Sequence, residues 1–279
     1  LLRNALVPAL VKRYFADAPR PAGPAFEKTP AAALEGSYMT TRRSDVSWMR
    51  LQGLLGQVVV RARADGALEA RGLTDAAGNP ERFREVAPGS FRSGDGEREI
   101  AFVRDAAGRA IELQPWFPGL TYERARFWDT QDVALAVFAP AAAIALGVLL
   151  APLVGALARR ALGAPPAPPR GLGARWLGRA TAAAWLAGLG GFAAFGADAA
   201  QNVWRFSERE DAPLAAAIFA IWGAAVLSVA CAATTARELR AARALTPARR
   251  FARALPALAF LALTWFAWNW ALLSNPARY

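Results

Sequence analysis

Four long apolar runs, all in the second half of the chain, constrain this sequence more than any other feature. Residues 133–157 form 25 consecutive positions without a charge, 213–234 form 22 and 255–273 form 19. At 1.5 Å per helical residue, each comes close to or exceeds the length needed to cross a hydrocarbon core about 30 Å thick. A fourth stretch, 180–197, is shorter and rich in glycine, and extending it back to Leu177 gives it spanning length. A soluble protein reaches such an uncharged helix once, hardly four times. The expectation is four transmembrane helices at about 133–157, 177–197, 213–234 and 255–273.

The net charge of +11 must be read against these runs. Residues 1–132 carry 19 basic and 17 acidic side chains, whereas residues 133–279 carry 14 and 5. Eleven of those fourteen arginines fall in two connections, 158–179 and 235–254, with Glu238 as their one acid. Retained loops carry the Lys and Arg excess, so these two read as cytoplasmic. Alternation then places residues 1–132, the loop 198–211 and the tail 274–279 outside, as expected for a multi-pass protein of a bacterial inner membrane. Trp265, Trp268 and Trp270 sit toward the outer end of the fourth run, as an aromatic belt. Small residues at four-residue spacing, Gly147, Ala151 and Gly155 in the first run and Ala184 and Gly188 in the second, suit close helix packing. No charge stands mid-span, which speaks against a transporter or channel.

The first half has a different grain. Residues 1–16 read as an amphipathic helix, with Leu2, Leu6, Leu10 and Phe15 against Arg3, Lys12 and Arg13. Lys12 and Arg13 interrupt it as a signal peptide, and the absence of an initiator methionine suggests further chain upstream. Residues 17–33, with Pro19, Pro21, Pro24 and Pro30, have linker composition. From 34 to 126, short alternating runs predict strands at 36–41, 57–63, 67–72, 82–86, 90–92, 99–104, 110–114 and 121–124. Asp65-Gly66 predicts a tight hairpin and Asp105 to Gly108 a longer turn. Ser44 to Leu55 reads instead as a short helix or irregular crossing. Together these give an extracytoplasmic β domain, an antiparallel meander or small barrel, followed by a four-helix transmembrane bundle.

The chemistry open to the chain is narrow. Without histidine there is no Ser-His-Asp triad and no histidine-ligated metal, and the single cysteine, Cys231, cannot form an internal disulfide. Asp95, Glu97 and Glu99, at spacing two, would share a strand face, and a solvated loop and strand start explains them better than a catalytic pair. Gly94-Asp95-Gly96 lacks the remaining residues of a phosphate loop. Arg42-Arg43 alone is too little for nucleic-acid binding. We therefore expect no catalytic, cofactor-binding or metal-ligating residue, no cofactor and no nucleic-acid partner.

One arrangement is informative as a whole. Glu35-Gly36-Ser37-Tyr38-Met39-Thr40-Thr41-Arg42-Arg43, then Leu54-Leu55-Gly56-Gln57-Val58-Val59-Val60, Glu85-Val86, Phe102 to Arg109, Tyr122-Glu123-Arg124 and a multi-span end near Trp268-Asn269-Trp270 follow one another. The succession resembles the region after the catalytic domain in membrane-bound serine hydrolases of the class C β-lactamase and penicillin-binding-protein-like family. The resemblance implies a parent hydrolase acting on peptide or ester substrates outside the inner membrane, with this chain as its anchor and accessory β domain. The family's Ser-x-x-Lys nucleophile motif is missing, and Ser47-Trp48-Met49-Arg50 ends in an arginine that cannot serve as base. Tyr14, Tyr38 and Tyr122 do not sit in a Tyr-x-Asn motif, and Lys28-Thr29-Pro30 replaces the glycine of Lys-Thr-Gly. The expected partners are the lipid bilayer and an upstream hydrolase domain in cis, residues 1–16 being that domain's last helix. The other reading is a stand-alone membrane protein whose β domain binds an apolar or peptide ligand and whose helices contact a partner. A deep apolar pocket inside the barrel would mark it.

Overall fold

The computed structural model describes residue 13 and residues 26–75, 78–116, 119–163, 172–201, 208–242 and 245–274. The expected terminal helix at 1–16, Arg13 apart, and the linker before residue 26 lie outside the described residues. The chain divides into two compact units, one of residues 1–43 and 53–130 and one of residues 44–52 and 131–279.

The first unit is a closed eight-stranded antiparallel barrel in simple meander order. A helical turn, α1 (Ala31–Leu34), leads into β1 (Gly36–Thr40); the short helix α2 (Arg50–Leu55) precedes β2 (Val58–Ala62), and β3 (Leu68–Thr74), β4 (Pro80–Ala87), β5 (Ser90–Ser93), β6 (Glu99–Arg104), β7 (Ala110–Pro115) and β8 (Tyr122–Arg124) follow. Alternation explains the interior: inward positions on β2 (Val58, Val60), β3 (Leu68, Ala70) and β6 (Ile100, Phe102) are all buried, and on β7 a register shift at Ile111 lets Ala110 and Leu113, three residues apart, both face inward. Closure comes from β1 pairing with β8, with Tyr38 opposite Arg124 and Thr40 opposite Tyr122. Tyr38, Phe83 and Phe91 fill the centre and Leu34 of α1 packs on the same cluster.

Four hairpins share one chemistry. In the turns Arg63–Ala67, Asp75–Asn79, Ser93–Arg98 and Asp105–Arg109, a backbone bond from Gly66, Gly78, Gly96 or Gly108 closes the bend. These glycines have φ between +76° and +84°, the left-handed region that glycine enters without a steric cost. The tight hairpin expected at Asp65-Gly66 is present between β2 and β3, with Asp65 Oδ1 accepting from Ala67 N–H at 3.2 Å. Asp95 and Glu97 lie in the turn at Gly96 and Glu99 opens β6, the loop and strand start expected, so the shared strand face that spacing two suggested is not formed.

The linker is not loose throughout. Thr29 donates from its backbone N–H and from its hydroxyl to Glu85 of β4, at 2.8 and 2.6 Å.

The second unit holds α3 (Gln131–Leu162), α4 (Leu172–Gln201), α5 (Glu208–Ala241) and α6 (Pro247–Asn269), among the described residues the four helices long and apolar enough to cross a membrane. The chain is a membrane protein by this measure, with a lipid bilayer as its surroundings. α4 and α5 run antiparallel in close contact: the indole N–H of Trp185 donates to Ser228 Oγ at 2.9 Å, and that hydroxyl donates to Ala224 O at 2.7 Å. A Cβ on Gly188 would come within 2.6 Å of Ile221 Cγ1, so glycine is what lets these helices touch. The equivalent expectation for α3 fails. Gly147 has open space around it, and α3 instead packs through Ala134, Ala141 and Ala145.

α6 begins on a Thr246 cap with Pro247 in its first turn. It ends before the expected 273, because Ala271 turns left-handed at φ +54° and Leu272 N–H bonds back to Ala267 O at 2.8 Å and Ala271 N–H to Trp268 O at 3.1 Å. This is a Schellman ending, with alanine where glycine is usual. It also changes the expected tryptophan belt: Trp268 is 70% exposed while Trp270 is fully buried. The second unit includes Ser44–Gln52, whose Trp48 packs edge-on against Phe192 and Phe195 of α4, each at 5.5 Å between ring centres.

Candidate functional site

Four polar clusters among the described residues bring chemistry-bearing side chains together, and each is built from a specific local reason. The first is a cleft of about 540 Å³ on the barrel, lined by Glu69, Asp75, Asn79, Glu81, Arg82 and Asp95 among others. Glu81 occupies an inward-facing position of β4, two residues before Phe83, and is only 4% exposed. Arg98, in the turn before β6, donates to its carboxylate at 2.7 Å and to Thr74 O at 2.5 Å. The same guanidinium lies 4.9 Å over the ring of Trp116. Burial pushes the Glu81 carboxyl above its ordinary value, and Arg98 opposes that shift. Asp95 moves the other way, held low chiefly by the hydroxyl of Ser93.

Two carboxyls pushed apart around one cleft is a pattern that acid–base sites use. Here the partners account for both. Glu81 is tied by Arg98, which joins β3, β4 and the β5–β6 turn, and Asp95 accepts from Ser93 Oγ and, at 3.1 Å, from Glu97 N–H to shape that turn. Among the described residues, no group of histidine, cysteine or carboxylate side chains is arranged to hold a metal ion.

The second cluster surrounds Arg124, which donates to Ala110 O at 2.9 Å and to Glu35 O. Beside it, the Tyr38 hydroxyl donates to Leu34 O at 2.6 Å, and burial pushes that phenol up to about 12. A tyrosine so placed does not supply a proton acceptor near neutral pH. In the third, Glu85 receives Thr29 and, at 3.1 Å, Gly89 N–H. The fourth is Ser44 with Ser47: the Ser47 hydroxyl donates to Ser44 Oγ at 2.8 Å, and Ser47 is buried. Ser47, the serine nearest to a Ser-x-x-Lys pattern, thus faces another hydroxyl, and Arg50 three residues on stands over the Trp270 ring at 5.9 Å.

No family model, curated protein or solved structure matches this chain. Function has to be read from the clusters themselves. Arg43 donates to Thr40 O at 2.9 Å and to Glu123 at 3.1 Å across the β1–β8 seam, so the Arg42-Arg43 pair is partly structural. Sequence reasoning missed Glu81 with Arg98, although an acid at an inward position of an alternating strand was the available signal. It also missed Trp185 with Ser228, where a serine in an otherwise apolar span was the hint. A second cleft, of about 410 Å³, lies in the helical unit between Asp45, Val46 and Arg50 and the end of α6, lined there by Trp268, Asn269 and Ser274.

Proposed function

We propose that this chain is the membrane anchor and accessory β domain of an outward-facing serine hydrolase related to class C β-lactamases and penicillin-binding proteins, itself without the catalytic machinery. The observation that carries the reading is where the resembling residues fall. Tyr38 and Arg124 sit opposite each other at the barrel seam, Val58 and Val60 line the interior of β2, and Phe102 packs in β6. The resemblance is thus borne by residues that build the barrel, as expected of a structural holder rather than of a reaction centre. The two Arg-rich connections, 158–179 and 235–254, lie on the cytoplasmic side of the inner membrane in this reading, with the barrel and the tail outside.

The stand-alone ligand-binding reading asked for a deep apolar pocket inside the barrel. The interior is instead occupied by Tyr38, Phe83, Phe91, Ile100 and Leu113, each at most 2% exposed, which favours a scaffold over a lipocalin-like binder. The gene supplies the test. Reading upstream of Leu1 should reveal an open frame encoding Ser-x-x-Lys, and a serine-directed covalent probe should label the product of that longer frame but not this chain. An in-frame stop just before Leu1 sinks the proposal.

A further inference from the structure

The strongest concentration of one charge lies at one end of the helical unit. Arg159 and Arg160 close α3, Arg175 and Arg179 stand in the first turns of α4, Arg237 and Arg240 close α5, and Arg249, Arg250 and Arg253 stand in the first turns of α6. The antiparallel contacts of α4 with α5, and the short connections between consecutive helices, bring these ends together. Arg160, Arg175, Arg237, Arg240, Arg249 and Arg253 are exposed, and Glu238 is the one acid in residues 158–179 and 235–254.

Aromatic side chains stand at the same level. Trp176 is 63% exposed and Phe251 62% exposed, and the Arg179 guanidinium lies 5.6 Å from the Trp176 ring centre. Exposed tryptophan beside arginine is the composition of a membrane–water boundary, the ring settling at the headgroup level and the guanidinium reaching outward. We propose that this end of the bundle is a recognition surface for anionic phospholipid headgroups, the guanidinium groups pairing with lipid phosphates and Trp176 and Phe251 lying at the acyl boundary. Guanidinium forks match phosphate in a bidentate way. A nucleic acid or an acidic protein bound in water would meet the charges but leave the two rings without a role. The inference needs only that the helices are embedded, and stands apart from the hydrolase reading.

The test uses the full chain reconstituted in vesicles of equimolar phosphatidylcholine and phosphatidylglycerol, re-extracted in mild detergent, with the retained lipid quantified by mass spectrometry. Phosphatidylglycerol should be enriched at least about threefold, and the enrichment should shrink as salt rises. The triple variant Arg249→Gln, Arg250→Gln, Arg253→Gln should bring retention back toward the vesicle ratio, and Arg237→Gln with Arg240→Gln, on a different helix, should lower it in part. Arg63→Gln with Arg71→Gln on the barrel should leave it unchanged. Retention at the vesicle ratio by the unaltered chain overturns the proposal, as does enrichment that survives the triple variant or falls equally in the barrel variant.

Discussion

Arg124 holds its guanidinium 5.9 Å from the ring centre of Tyr38, the residue directly opposite it across the seam that closes the barrel. From there it reaches the carbonyls of Ala110 on β7, of Ala33 in α1 and of Glu35 just after it. One side chain thereby ties the last strands to the segment that enters the first.

Replacing Arg124 with methionine keeps most of the packing volume but leaves those carbonyls without their donor. Hydrogen bonds from a charged group contribute about 1.5–3 kcal/mol each when made, so Arg124→Met should destabilise the barrel by roughly 2–4 kcal/mol. Denaturant unfolding of the detergent-solubilised chain, followed by circular dichroism, measures this. A loss below about 0.5 kcal/mol would mean that the seam does not depend on Arg124.

Tyr38 gives a pH signature. Burial raises its folded pKa from 10.0 to about 12. The folded state therefore holds the phenolic proton more tightly than the unfolded one, and this contribution is complete below pH 10 and is lost as pH rises toward 12. Burial raises Tyr122 as well, so phenolate absorbance at high pH should show a late-titrating component that Tyr38→Phe reduces by one tyrosine. If its amplitude is unchanged in the variant, the assignment to Tyr38 is wrong.

Two glycines separate contact from mere composition. Gly188→Val would drive a side chain into Ile221 and toward Ala217 O, which stands 3.1 Å from the position of a Cβ. It should part α4 from α5 and cost about 2 kcal/mol or more. Gly147→Ala, in open space on α3, should be neutral or slightly stabilising, by up to about 1 kcal/mol. Thermal unfolding in one detergent decides between them, and equal effects would contradict this helix arrangement.

The end of α6 offers a gain. Ala271 holds a left-handed φ of +54° that costs an L-residue about 1 kcal/mol and glycine little. Ala271→Gly should raise stability by about 0.5–1 kcal/mol, readable as a higher midpoint in the same melts. A lower midpoint would show that the methyl group's packing outweighs the backbone relief.

What the sequence made legible followed from two periodicities. Alternation in stretches such as Val58 to Ala62 and Glu99 to Arg104 located the strands, since one face meets a core and the other water. Length without charge located the spans. Closure was not legible, because pairing of β1 with β8 depends on curvature accumulated through the turns and not on either strand's own residues. The place of Ser44–Gln52 was hidden for a related reason. Its one large buried residue, Trp48, packs its ring against Phe192 and Phe195 far along the chain, and nothing in its neighbourhood announces that. Spacing also suggested the same role for Gly147 and Gly188, and only the neighbouring helix distinguishes them. For the candidate clusters, residue types excluded histidine chemistry at once, while the tie between Glu81 and Arg98 needed the geometry of the turn that carries Arg98.

The meander order has a consequence for how the barrel is made. Every strand but the first and last finds both its partners among its immediate neighbours, yet β1 has one edge that waits: Thr41 meets Thr121 across 80 residues. As the chain emerges in order, that edge stays open through the synthesis of six intervening strands, a bare template for pairing with another nascent chain. Closing it carries the largest loop entropy in the barrel, so strand eight is the element whose delay would most invite misassembly.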